Sequence, residues 1–233
     1  MKKTFSDCPS RSVHSRDKQK ISIPSSELSD IKNNFDICLS EIKERFSLVD
    51  LLSSTGSDAA EIKASKDILR YQTVSIDSLL DYYIHQIAVY GLKKMFNEEW
   101  AKTNPYKKIN IELSTVEIAI QNPENTDWIE SVIAQWSGKD TFMSAEKIVF
   151  VIKALGLDVK EIANIDGSDD IAEVKIKIDA LYNRRTSIVH YADLDNNRLK
   201  KDIKKEEVEQ YIALVESLCN KVFDLVQKKD SSD

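Results

Sequence analysis

Residues 183–195 read NRRTSIVHYADLD, which sets two arginines shortly before one of the three histidines in the chain. Arg185 and His190 are separated by four residues, and side chains of these types can together handle a phosphodiester. Arginine is permanently cationic and can grip a phosphate with two parallel hydrogen bonds. Histidine can exchange a proton near neutral pH. The pair could therefore support attack by an RNA 2′-hydroxyl on the adjacent phosphorus, one group moving the proton and the other balancing the developing charge. Such a reaction needs no metal, and it needs RNA rather than DNA. Arg184 is also correctly spaced, one residue further from the histidine, so either arginine can be the partner. A five-residue offset leaves two side chains about 140° apart on an ideal helix, so a single copy is poorly arranged to act alone. A two-fold dimer would bring two copies to one groove. The spacing alone is weak evidence, since such a pair recurs by chance and is more simply a helix-end histidine beside a solvated arginine.

The rest of the sequence offers little competing chemistry. It has no GxGxxG or GxxxxGK[ST] loop, no HExxH or Cys/His ligand spacing and no GxSxG elbow. No cofactor or metal is expected. The three cysteines, Cys8, Cys38 and Cys219, are far apart and odd in number, which argues against a disulfide framework and fits a reducing cytoplasm. The opening MKK is not followed by an apolar run, so no signal peptide is expected, and no apolar stretch is long enough for a membrane span.

The elements that must position this stretch read as helices. Among 233 residues there are 5 glycines and 4 prolines, too few for a fold of many tight β-turns. The net charge of −6 argues against a protein that coats DNA, although a local basic site remains compatible with it. Residues 1–26 carry six basic and two acidic residues and read as a disordered basic tail, or as an electrostatic arm for RNA or an acidic partner. From Glu27, capped by Ser25 or Ser26, apolar residues recur at helical spacing until the SSTGSD stretch, where Gly56 should end the helix. A second helical pattern fills 58–100. It is apolar on more than one face and so should be deeply buried or lie at an interface, with a possible bend at Gly91.

After the Asn-Pro loop, 100–160 reads as an insertion of short helices near 112–121, 125–137 and 143–155, the second capped by Asn125 or Thr126 and the third by Thr141 or Ser144. Within it KIVFVIKAL is ambiguous between helix and strand, and Trp128 and Trp136 read as core anchors or, less simply, as base-stacking platforms. The NIDGSDD turn follows, then a helix capped by Ser168 or Asp169 that ends near His190, and a final helix over about 204–229. The expected architecture is one all-α domain over 27–229, with 230–233 as a disordered end.

The stretch LYNRRTSIVHYADLD resembles the R-x(4–6)-H signature of the HEPN superfamily and is most similar to its RiboL-PSP-type family. The upstream LRYQTVSIDSLLDYYIHQIAVYGL resembles that family's early helix, and the likeness spans roughly 35–225. The resemblance implies a HEPN-like helical bundle, a homodimer with arginine and histidine from both protomers in a shared cleft, and metal-independent endoribonuclease activity of the kind used by RNA-cleaving toxins and antiviral systems. RNA would be the substrate, and an antitoxin or another defence-system protein a partner. Carried onto this chain, Arg185 and His190 are the motif pair, with Arg184 as the rival arginine. Thr186 stands where asparagine or another polar residue is common. Asp81 is a candidate acidic partner on the earlier helix. His85 reads as a buried or interface histidine, and Ser187 and Tyr191 flank the pair and could contact RNA. Two alternatives stay open: a non-catalytic HEPN module that binds RNA or a partner protein, and a helical interaction protein with an accidental motif.

Overall fold

The computed structural model describes residues 20–55, 58–123, 125–138, 141–163, 165 and 170–232. Residues 1–19 of the basic tail, Gly56 as a helix stop, and most of the 164–170 turn with Ser168 and Asp169 lie outside them. The described residues form an all-α fold without strands. In chain order the helices are α1 (Glu27–Glu44), α2 (Phe46–Thr55), α3 (Ala59–Phe96), α4 (Asn104–Lys107), α5 (Leu113–Gln121), α6 (Asp127–Gly138), α7 (Ala145–Ala154), a 3-10 turn (Val159–Ile162), α8 (Ile171–His190) and α9 (Lys205–Asp230). None of them is long and apolar enough to cross a membrane.

The organising element is α3. Its 38 residues would span about 57 Å at 1.5 Å per residue. Helices α1, α2, α6, α8 and α9 all pack on it, which explains why its sequence is apolar on several faces. Ile76, Leu80, Tyr83, Ile84, Ile87, Leu92 and Met95 along it are fully buried. Asp58 caps it, accepting a hydrogen bond from the Ala60 N–H (3.1 Å). Gly91 does not interrupt the helix. Its missing side chain instead allows close packing, since a Cβ there would lie 2.5 Å from Leu155 Cδ2 and 2.8 Å from the Trp100 ring.

The single helix expected from Glu27 to the SSTGSD stretch is two helices divided at Arg45. Just before the break the Ile42 carbonyl accepts from Gln72 Nε2 of α3 (2.9 Å), a side-chain partner that periodicity could not reveal. Both halves pack on α3, with Ile42 and Val49 buried on either side of the division.

Residues 20–26, expected within the tail, are held against the body. Ile21 is buried, its N–H donates to Asn97 Oδ1 (2.8 Å) and its carbonyl accepts from Asn97 Nδ2 (2.9 Å). At the other terminus α9 continues through Asp230, whose carboxylate accepts from Trp100 Nε1 (2.9 Å) and from the Tyr90 hydroxyl. The KIVFVIKAL stretch is helical, lying in α7 up to Ala154 with Leu155 as the C-cap. Trp128 and Trp136 are partly buried against the core, Trp128 edge-on to Phe96 and Trp136 beside Phe142 and Phe150.

Candidate active site at the C-terminal end of α8

Helix α8 begins at an Asp170 cap that accepts from the Ala172 N–H (2.9 Å). It packs on α3 and buries Val174, Ile178 and Leu181. Arg184 and Arg185 follow this apolar stripe. Successive residues on a helix diverge by about 100°, so the two guanidinium groups serve different neighbours. Arg184 turns to the 191–204 loop, where Nη1 donates to Asp193 Oδ1 (2.9 Å) and Nη2 to the Asp202 carbonyl (2.7 Å), with Glu207 3.5 Å from Nε. Arg185 turns to α3 and to His190.

The five-residue offset between Arg185 and His190 is bridged by the length of the arginine. Its Nη1 lies 3.4 Å from His190 Nε2. A guanidinium can only donate, so this contact is a hydrogen bond when Nε2 carries its lone pair. His190 is the last residue of α8 and is exposed, whereas the Arg185 side chain is 21% exposed and reaches from the protein interior to the surface. Of the two sequence candidates, then, Arg185 is the arginine that meets the histidine, and Arg184 is committed to the loop.

Beneath Arg185 lies Asp77 of α3, fully buried, with Oδ2 3.7 Å from Arg185 Nε. That separation allows an ion pair when the carboxyl is charged but is too long for a hydrogen bond, and among the described residues neither Asp77 oxygen nor Arg185 Nε has a hydrogen-bond partner. Burial raises the Asp77 carboxyl from an ordinary value of 3.8 to about 7, Arg185 opposing the rise and the nearby Asp81 adding to it. The folded state thus keeps a proton on Asp77 between about pH 4 and 7, where the unfolded chain has released it. The stability due to this proton is complete below about pH 4 and is lost as pH rises through about 7. Between pH 5 and pH 8 the wild type should lose about 2–3 kcal/mol more than an Asp77→Asn variant, measured by urea unfolding at the two pH values. Parallel pH dependence in the two proteins would show that Asp77 ionises normally.

Asp77 was not legible as the acidic partner, although one signal was present. It falls in the stripe Thr73, Asp77, Leu80, Ile84, Ile87, whose other members are all buried, so a carboxylate there had to face the interior. Asp81, the candidate named from the sequence, does other work. Its Oδ1 accepts from the Phe142 N–H and lies 3.5 Å from His85 Nε2. His85 is partly buried and stacks on Phe142, with ring centroids 4.3 Å apart. Asp179 of α8 likewise accepts from the Ala145 N–H (2.9 Å), so α3 and α8 together hold the start of α7. Ser144 occupies the N-cap of α7 without a side-chain capping bond.

The loop after His190 is held by a second buried acid. Ala192 and Asp193 adopt left-handed backbone conformations (φ 52° and 56°), which end α8. Asp193 is fully buried. It accepts from Arg70 Nε (2.7 Å) of α3 and from Arg184 Nη1 (2.9 Å), while its N–H donates to the Ser187 carbonyl (2.8 Å) and its carbonyl accepts from the Lys201 N–H (2.8 Å). Arg70 Nη2 also donates to the Lys201 carbonyl (2.7 Å). Ser187 is buried and receives Lys201 Nζ (2.9 Å), so it anchors the loop. Thr186 is half-buried on α8, and Tyr191 is 68% exposed.

No family model, curated protein or solved structure matches this chain.

Proposed function

We propose that this protein is a metal-independent endoribonuclease of the HEPN type, a toxin or antiviral effector acting in the cytoplasm, with a composite site at a homodimer interface. The observation that carries the reading is the meeting of Arg185 and His190 at the exposed end of α8, with Asp77 buried beneath the arginine. A phosphate arriving there would find a guanidinium with free Nη donors next to an imidazole that can carry or release a proton. In the proposed step the 2′-oxygen forms a bond to the adjacent phosphorus and the bond to the 5′-oxygen breaks. The 2′-hydroxyl gives up its proton, the departing 5′-oxygen receives one, and the products are a 2′,3′-cyclic phosphate and a 5′-hydroxyl. Each chain supplies one such histidine, so a paired site supplies both a base and an acid.

The test is incubation of the purified protein with tRNA, rRNA and mRNA in EDTA, followed by analysis of product ends. Cleavage with cyclic phosphate termini, absent when a 2′-deoxy residue occupies the scissile position, is expected. Equal inactivity of wild type and His190→Ala on all three RNA classes would count against the enzyme.

A non-catalytic module that binds a partner protein is the second reading. The observation favouring it is α5, where Leu113, Ile118 and Ile120 are exposed. Biological activity retained in an Arg185→Ala/His190→Ala variant would select it.

A further inference from the structure

We infer that the 191–204 loop is a binding arm for single-stranded RNA, with Arg198, Lys200 and Lys204 holding phosphates beside the Arg185–His190 pair and Tyr191 stacking on a base. The inference rests on the ribonuclease reading for the identity of the ligand, and on the loop itself for the site.

The loop and the residue after it carry three acids and five bases within residues 193–205, in a chain whose net charge is −6. Every acid is already engaged. Asp193 is buried between Arg70 and Arg184, Asp202 pairs with Lys66 (2.7 Å), and Asp195 Oδ1 accepts from the N–H groups of Asn197 (2.8 Å) and Leu199 (2.9 Å). Two of the bases are engaged as well, Lys201 with Ser187 and Lys205 with Asp50 (2.6 Å). Arg198, Lys200 and Lys204 are exposed and form no salt bridge among the described residues. The segment therefore presents a cationic surface, because Asp193 is buried, Asp195 closes turns and Asp202 is balanced by Lys66, while Arg198, Lys200 and Lys204 have no acidic partner among the described residues.

The arm is also preorganised. Leu194 and Lys200 form an antiparallel bridge, the Asp195 N–H donates to the Leu199 carbonyl (2.8 Å), and Arg198 N–H donates to the Asp195 carbonyl (3.0 Å). Its base is joined to α8 at Ser187, less than one helical turn from His190. Tyr191 directly follows His190 and is 68% exposed, an aromatic face next to the reacting group. Cations that track a backbone, together with an aromatic ring for a base, make up the usual recognition of single strands without sequence preference.

The test measures binding of a fluorescein-labelled oligouridine to the full-length His190→Ala protein over a range of salt concentrations. It is repeated after adding Arg198→Ala, Lys200→Ala and Lys204→Ala, and in a control with Lys107→Ala, Lys108→Ala and Lys228→Ala, which are exposed elsewhere. Loss of three phosphate contacts should lower the slope of log affinity against log salt by about 2, at roughly 0.7 per contact for a single strand. The control should change it by less than half as much, and Tyr191→Ala should weaken binding about tenfold. An unchanged slope in the loop variant, an equal change in the control, no RNA binding at all, or displacement of RNA by polyglutamate would each overturn the arm. Cleavage assayed separately with wild type judges the catalytic reading. Cleavage that depends on His190 alongside an unchanged slope rejects the arm alone, and a lowered slope without cleavage rejects the catalysis alone.

Discussion

His190→Ala is expected to reduce RNA cleavage by about 10²–10⁴-fold, the usual contribution of a positioned proton-transfer group. The fold should hardly notice. His190 is the exposed last residue of α8, and surface changes of that kind cost within about 0.5 kcal/mol. Arg185→Ala should abolish cleavage to a similar degree, but with a structural signature of its own. It removes the cation that faces buried Asp77 and so pushes the Asp77 carboxyl further towards its neutral form. Arg185→Lys keeps a charge but loses the planar guanidinium that spans from buried Asp77 to His190, and should not restore full rate. In the double variant the losses should fall well short of additive, because two groups that act on one phosphate fail together. Measured rates in EDTA for the four proteins decide the matter. If His190→Ala retained wild-type cleavage, the pair would not be the catalytic centre, however close its nitrogens lie.

The second large effect concerns stability. Asp193→Ala should destabilise the domain by about 3–5 kcal/mol, the range for removing one partner of a buried ion pair and leaving the others uncompensated. In a chain of this size that corresponds to a fall in Tm of roughly 10 °C. Arg70 and Arg184 would lose their shared carboxylate, and the 191–204 loop would lose its one buried ion-pair tie to α3, keeping only the Arg70–Lys201 carbonyl bond and the exposed Lys66–Asp202 pair among those described. Asp193→Asn separates two causes. Asparagine tolerates the left-handed backbone at φ 56° as aspartate does but carries no charge, so most of the loss should persist. If Asp193→Asn were as stable as wild type, the backbone conformation and not the ion pairs would hold the loop. Because this hub sets where α8 ends and where Tyr191 and the loop cations stand, cleavage should also fall in both variants, even with Arg185 and His190 present.

What can be read from a sequence divides here along the range of the interactions involved. The helical class, the burial of α3 and the approximate limits of α5 to α9 were legible, because a stripe of apolar residues at three- and four-residue spacing is a local property. The NRRTSIVHYADLD stretch was legible as chemistry for the same reason, its residue types lying within one segment. The division at Arg45 was not, since the side chain that bonds the Ile42 carbonyl just before it, Gln72, is 30 residues further along the chain. Nor was the choice between the two arginines, which depends on Asp77 and Asp193 being placed on different sides of one helix by contacts across more than 100 residues of chain. Asp77 was visible as an acid in an apolar stripe, but only the packing of α8 against α3 places a guanidinium over it. The sequence by itself determined that this protein is helical and that an arginine and a histidine stand together near one helix end. Tertiary structure alone decided which arginine meets the histidine, because the direction of a long side chain depends on the charges that other elements bring to it.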